Sequence, residues 1–305
     1  LTSPLPERAG GAATIVPQVG IRNLILPPSL AGLDAGMSFN SFLDGLSAGR
    51  DLSDYDTNRL HSMYHELVGH PEWTRRPSLA KALAACDDTP VNRWAGRVVE
   101  RQVVKAGMAL FEETVDGKTF RIEVLGPGEP LAVGDFPVED DSLALRIVYG
   151  DFALLVPGML HYEGQRRLAS AWSPDQLRAQ VLVVPHQGAA VPGGLYRPER
   201  RDVLDALARG AGPLLDKARP EKAIIEFGNP RPVLGDGGRP AVNAYDITRQ
   251  FYEGRLGEAG LLSTDRQLAV SIHSDGVTYS IETQADRNRA EGGEEDAVSE
   301  LSVGL

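Results

Sequence analysis

The chain has 305 residues, a hydrophobic share of 42% and a formal net charge of -11. Its mean hydropathy is -0.20, and no stretch nears the roughly 18 apolar residues that a membrane span needs, so a soluble globular protein without a membrane partner is expected. The acidic balance opposes a nucleic-acid partner, since neutralising phosphates takes clustered Lys and Arg, and the short basic run Arg197, Arg200, Arg201 is hemmed in by acids.

The single cysteine, Cys86, excludes an intramolecular disulfide and any multi-Cys zinc site. This suits a reducing compartment, and a cytoplasmic location is expected. The first residue is Leu1, with no basic segment leading into an apolar one. A fragment or a processed product is the expectation.

Ala9 to Val16 fits a short helix after a glycine pair, and Ile21 to Leu26 a short apolar strand stopped by Pro27-Pro28. Residues 29 to 105 are mostly helical by pattern, broken at Pro71, Pro77 and Pro90. Within them Leu60, Met63, Tyr64, Leu67 and Val68 form one apolar stripe. Ser78 to Cys86 reads as a second helix with a serine N-cap. From residue 108 the period becomes that of strands. Phe120, Ile122 and Val124 alternate with polar neighbours after the hairpin turn Asp116-Gly117.

Leu143 to Val148 and Phe152 to Val156 are predicted as two strands, and Val181 to Val184 and Ala223 to Phe227 as buried ones. Helices are expected around Asp202 to Leu207 and over Tyr245 to Leu256. Strands Gln267 to Ile272 and Val277 to Ile281 flank the turn Ser274-Asp275-Gly276, and the acidic tail from Ala285 is expected to be disordered. Alternation of this kind indicates a layered α/β domain.

Several segments, in order, carry a resemblance. Leu1 to Gly11 has the frame of a His-x-His-x-Asp-His motif followed by a Gly pair, with Ser3, Leu5, Glu7 and Arg8 at the chemical positions. Asp140 to Arg146 matches an Asn/Asp-Ser-Leu-Val-Leu strand, Gly150 to Met159 a strand ending in Thr-Gly-Asp, and Val181 to Gly188 a Val-Pro-His-His-Gly motif. Ala218 to Asn229 fits the strand after it, Gly238-Arg239-Pro240 stands where Gly-His-Pro is expected, and the hairpin around Asp265 and Asp275-Gly276 closes the set. Together they resemble the metallo-β-lactamase superfamily, in its ComEC/Rec2-type hydrolase branch.

The resemblance implies an αββα sandwich, here lacking its N-terminal strands. The domain is expected to comprise residues 1-30 and 106-284, with a helical insertion at 31-105 and a tail at 285-305. Residues 31-105 carry Trp73, Trp94 and Arg75-Arg76-Pro77. They are read as a lid, as a docking surface or as a segment packed on the sandwich.

The family's chemistry requires zinc or manganese held by imidazoles and carboxylates. Carried over residue by residue, the resemblance leaves a degenerate metal site. Ser3 and Leu5 replace histidines, Glu7 an aspartate and Arg8 a histidine. Met159 replaces the bridging aspartate with a thioether too soft for hydrolytic zinc. His186 is kept, Gln187 replaces its neighbouring histidine, and Arg239 replaces the last one. No catalytic residue and no cofactor is therefore expected. Arg8 and Arg239 are expected either to pair with Glu7 or to bind an anion through their planar forks.

The expected function is a non-catalytic binding or regulatory module. Its expected partner is another chain, or its own upstream fragment, that completes the sandwich. The alternative is a metal-dependent nuclease or phosphodiesterase whose missing ligands come from an absent N-terminal segment or from His161. His65-Glu66-Leu67-Val68-Gly69-His70 is discounted as a zinc motif. Its second histidine falls one place late for one helix face. Cys86 is expected to be a buried structural thiol, and His161 a loop histidine.

Overall fold

The computed structural model describes residues 23–26, 37–47, 61, 64, 100–126, 142–188, 200–226 and 244–290. The expected elements at 9–16 and 78–86, most of the stripe at 60–68, and Cys86, Trp73, Trp94 and the His65–His70 segment lie outside them.

The chain opens with β1 (Asn23–Leu26) and α1 (Phe39–Ser47). It then reaches β2 (Glu100–Val103), which pairs in parallel with β1. The 31-105 stretch, expected to be helical, thus holds a helix and ends in a strand. Glu100-Arg101-Gln102-Val103 has no alternation of apolar residues to announce it. Its strand character comes from the partner β1, a contact a local pattern does not encode.

The main sheet has seven strands in sequential order: β3 (Ala109–Val115), β4 (Lys118–Gly126), β5 (Ala144–Tyr149), β6 (Phe152–Val156), β7 (Val181–Val183), β8 (Lys222–Ile225) and β9 (Leu261–Ser263). β3 to β6 run antiparallel, and β6 to β9 are parallel. The β3–β4 connection is the expected two-residue turn, with Asp116 and Gly117 both at positive φ (51° and 75°), as a type I′ hairpin requires.

The parallel strands are joined by helices: α2 (Tyr162–Ala171) and α3 (Pro174–Leu177) before β7, α4 (Arg200–Arg209) and α5 (Ala211–Ala218) before β8, and α6 (Ala244–Leu256) before β9. Ser173 caps α3 in a reciprocal box with Gln176.

Strand periodicity sorts the two faces of this sheet. Leu125, Ala153, Leu155, Leu182, Ala223 and Ile225 point to one side and form the main core with Leu168, Leu207, Leu214 and Tyr252 of the helices. Phe152, Val181 and Ile224 point to the other. There they meet Val270, Ile272, Tyr279 and Ile281 of a hairpin formed by β10 (Val270–Ser274) and β11 (Tyr279–Thr283). The hairpin tip is fixed to the β5–β6 turn, where Asp151 N donates to Gly276 O at 2.7 Å.

The parallel half of the sheet is therefore covered by helices on one face and by a hairpin on the other. The β3 edge is more open, with Phe111 43% and Val115 39% exposed. A short helix α7 (Thr264–Gln267) separates β9 from β10.

A helix over 284–290 follows β11, whereas disorder is expected from Ala285. Thr283 Oγ1 accepts from Asp286 N at 3.1 Å, so a side-chain cap organises a segment whose composition alone suggests none.

Candidate functional site

Parallel strands that all carry their helices on one face bring their carboxyl ends to one rim, where ligands bind in open α/β sheets. In this chain the described part of the rim is made by the segments after β6, β7 and β9, together with the residues just before the antiparallel β5.

After β6 the chain turns through Gly158 at φ 68°. A Cβ at this position would lie 2.5 Å from Ser142 Oγ and 2.7 Å from Leu143 O. Only glycine meets both the backbone angle and the close approach. The next amide, Met159 N, donates to Ser142 Oγ at 2.9 Å in a fully buried bond. Met159 itself is 8% exposed and belongs to the core.

After β7 the chain enters the Pro185–Gly188 turn, in which His186, Gln187 and Gly188 all have positive φ (51°, 53° and 72°). A left-handed conformation at a non-glycine residue costs on the order of 1 kcal/mol or more and persists only when its surroundings impose it. Here His186 N donates to Gly158 O at 2.9 Å. Ser142, the Gly158 turn and the His186 turn are thus laced into one unit.

His161 precedes α2 at its N-cap, is 8% exposed, and packs its ring against that of His186 with centroids 4.3 Å apart at 67°. His161 lies in the connection just before α2, as a loop histidine would, and it is buried as a neighbour of His186. The signal was the length of the connection. Four residues, Pro157 to Leu160, separate the end of β6 from His161, and β6 lies beside the parallel strand β7 whose following turn bears His186.

A third group closes the rim beyond β8. Asp265 Oδ1 accepts from Tyr245 OH at 3.2 Å and from the Ser263 hydroxyl. Burial, ahead of these polar neighbours, pushes the Tyr245 phenol up from its ordinary range. The Tyr245 ring also reaches the Gly188 turn, 3.5 Å from where a Gly188 Cβ would stand. Tyr245 carries no sequence signal of this kind, because it acts through a contact 20 positions along the chain.

The family resemblance implies a metal, and the donors among the described residues do not make up a set that fits one. His161 and His186 give two imidazoles, Gln187 stands beside His186, and a core methionine stands where the resemblance places a bridging carboxylate. Among the described residues no three of His, Cys, Asp and Glu cluster as metal ligands, whereas hydrolytic zinc takes at least three protein ligands. Ser3, Leu5, Glu7, Arg8 and Arg239 lie outside the described residues. Among those described, no helix is long and apolar enough to cross a membrane. No protein-family model and no curated protein matches the chain.

Proposed function

We propose that the chain is a non-catalytic, metallo-β-lactamase-like binding or regulatory module, part of a larger or processed protein, acting in the cytoplasm. The observation that carries this reading is the seating of Met159. Its amide is tied to Ser142 and its side chain lies in the core, at the position where the resemblance needs a carboxylate bridging metals. The one-sided helix cover of β6 to β9, with a hairpin on the opposite face, suits one half of an αββα sandwich. Arg8 and Arg239 are the proposed anion-binding positions.

The proposed partner is a protein chain or upstream fragment that covers the apolar residues at the β3 edge. Phe111 and Val115 support this placement through their exposure. The charge of -11 argues against nucleic acid.

The alternative is a metal-dependent nuclease or phosphodiesterase, and the His161–His186 contact favours it as a second reading. The test is the metal content of purified protein after loading with zinc or manganese and desalting. Substoichiometric metal, unchanged in His161→Ala and His186→Ala, is the expected result. A full equivalent that either substitution removes would overturn the proposal in favour of the hydrolase.

A further inference from the structure

Behind the His186 turn, on the helix side, is a small, partly open cavity of about 10 Å³ bounded by Pro185 and Gly188 of the turn, Gln165 of α2, and Thr248 and Tyr252 of α6. Its lining, which includes the apolar Val184 and Leu207, carries the polar side chains of Gln165, Thr248 and Tyr252. Gln165, Thr248 and Tyr252 are 2%, 3% and 1% exposed, and neither Gln165 Oε1 nor the Tyr252 hydroxyl makes a hydrogen bond among the described residues. A buried polar atom left so carries an unmet desolvation penalty, and two facing one cavity point to a common ligand.

The orientation of the amide is fixed. Gln165 Nε2 donates to Leu160 O at 3.0 Å, which leaves Oε1 as an acceptor turned elsewhere. Burial raises the Tyr252 phenol well above its ordinary range, so it is a neutral O–H donor at physiological pH.

From this lining we infer a binding site for a single water molecule that bridges Gln165 Oε1 and the Tyr252 hydroxyl and thereby ties α2 and α6 to the turn bearing His186. One water occupies about 10–15 Å³ on this measure and makes about three hydrogen bonds when buried. The volume admits one water and nothing larger. The water accepts from Tyr252 and donates to Gln165 Oε1, with the Thr248 hydroxyl in the same lining for its second proton. The site stands independently of whether the rim binds a metal, an anion or neither.

Two measurements test it. An atomic-resolution crystal structure is expected to show a solvent peak within hydrogen-bond distance of both atoms. A dry cavity, or a direct Tyr252–Gln165 hydrogen bond closing it, overturns the inference. In solution, magnetic relaxation dispersion of water is expected to lose one long-lived molecule in Gln165→Leu/Tyr252→Phe. An unchanged amplitude in the folded variant overturns it too. Tyr252→Phe alone keeps the ring packing and serves the same comparison if the double variant does not fold.

Discussion

Replacing Gly158 by alanine tests whether the rim is held together as described. The new Cβ would lie 2.5 Å from Ser142 Oγ and 2.7 Å from Leu143 O, separations that real Cβ atoms do not adopt. The backbone at φ 68° adds about 1–2 kcal/mol for a left-handed alanine. Relief of the contact moves Ser142 and breaks its buried bond to Met159 N, at about 1–3 kcal/mol. Stiffening of the unfolded chain returns about 0.4–1 kcal/mol. The net expectation is a destabilisation of about 2–4 kcal/mol, read by urea unfolding at constant m.

Gly117→Ala is the internal control. It shares a positive φ, 75°, but its Cβ would meet nothing within 4 Å, so about 1 kcal/mol is expected. The difference between the two variants isolates the steric term. If Gly158→Ala and Gly117→Ala agreed to within about 0.5 kcal/mol, the scale on which independent sites add, the lacing of the rim through Ser142 would be refuted.

Two further outcomes follow from the same contacts. Ser142→Ala leaves the buried Met159 amide without its acceptor and is expected to cost about 1–3 kcal/mol. Combined with Gly158→Ala it should cost less than the sum, because the hydroxyl that the new methyl strikes is gone; strict additivity in a double-mutant cycle would count against the contact. At alkaline pH, burial pushes Tyr162 up from 10.0 to about 12. An acid whose folded pKa is raised contributes stability that is full below its unfolded pKa and lost as pH rises through the folded one. Urea midpoints should therefore fall between about pH 10 and 12, by on the order of 2 kcal/mol from Tyr162. A flat profile in that window would contradict the burial of this phenol.

Much of the sheet was legible because its strands carry local signals. Asp116-Gly117 announces a type I′ turn, and Phe152–Val156 and Val181–Val183 are continuous apolar runs of strand length bounded by turn residues. What was not legible depended on partners. β2 is a strand only because β1 lies beside it, and β9, three residues long, follows the 3₁₀ turn at Glu258–Gly260 with nothing periodic to read. The site divides in the same way. Met159 and His186 were singled out by the resemblance alone, and the structure places them on neighbouring turns of the rim. Ser142, His161 and the Tyr245–Ser263–Asp265 group acquire roles only through contacts that span 17 to 25 positions for Ser142–Met159, His161–His186 and Tyr245–Asp265. The capped helix over 284–290 shows the reverse case, where a charged composition that reads as disorder is overruled by one threonine at the end of β11.

The rim has a property that usually serves catalysis, while among the described residues no three of His, Cys, Asp and Glu gather there as metal ligands. It is rigid: a glycine that tolerates no methyl, a buried serine-to-amide bond and consecutive left-handed residues at His186 and Gln187 hold one geometry. Left-handed non-glycine residues are maintained against a cost, and such strain gathers where a surface must present groups in a set orientation. A rim without a full ligand set still has use for that rigidity, because a preorganised surface loses less entropy on binding than a mobile one. Retained backbone strain on this rim is thus consistent with the proposed recognition role. The metal measurement on His161 and His186 variants bears on that proposal directly, since those two imidazoles pack together on the rim.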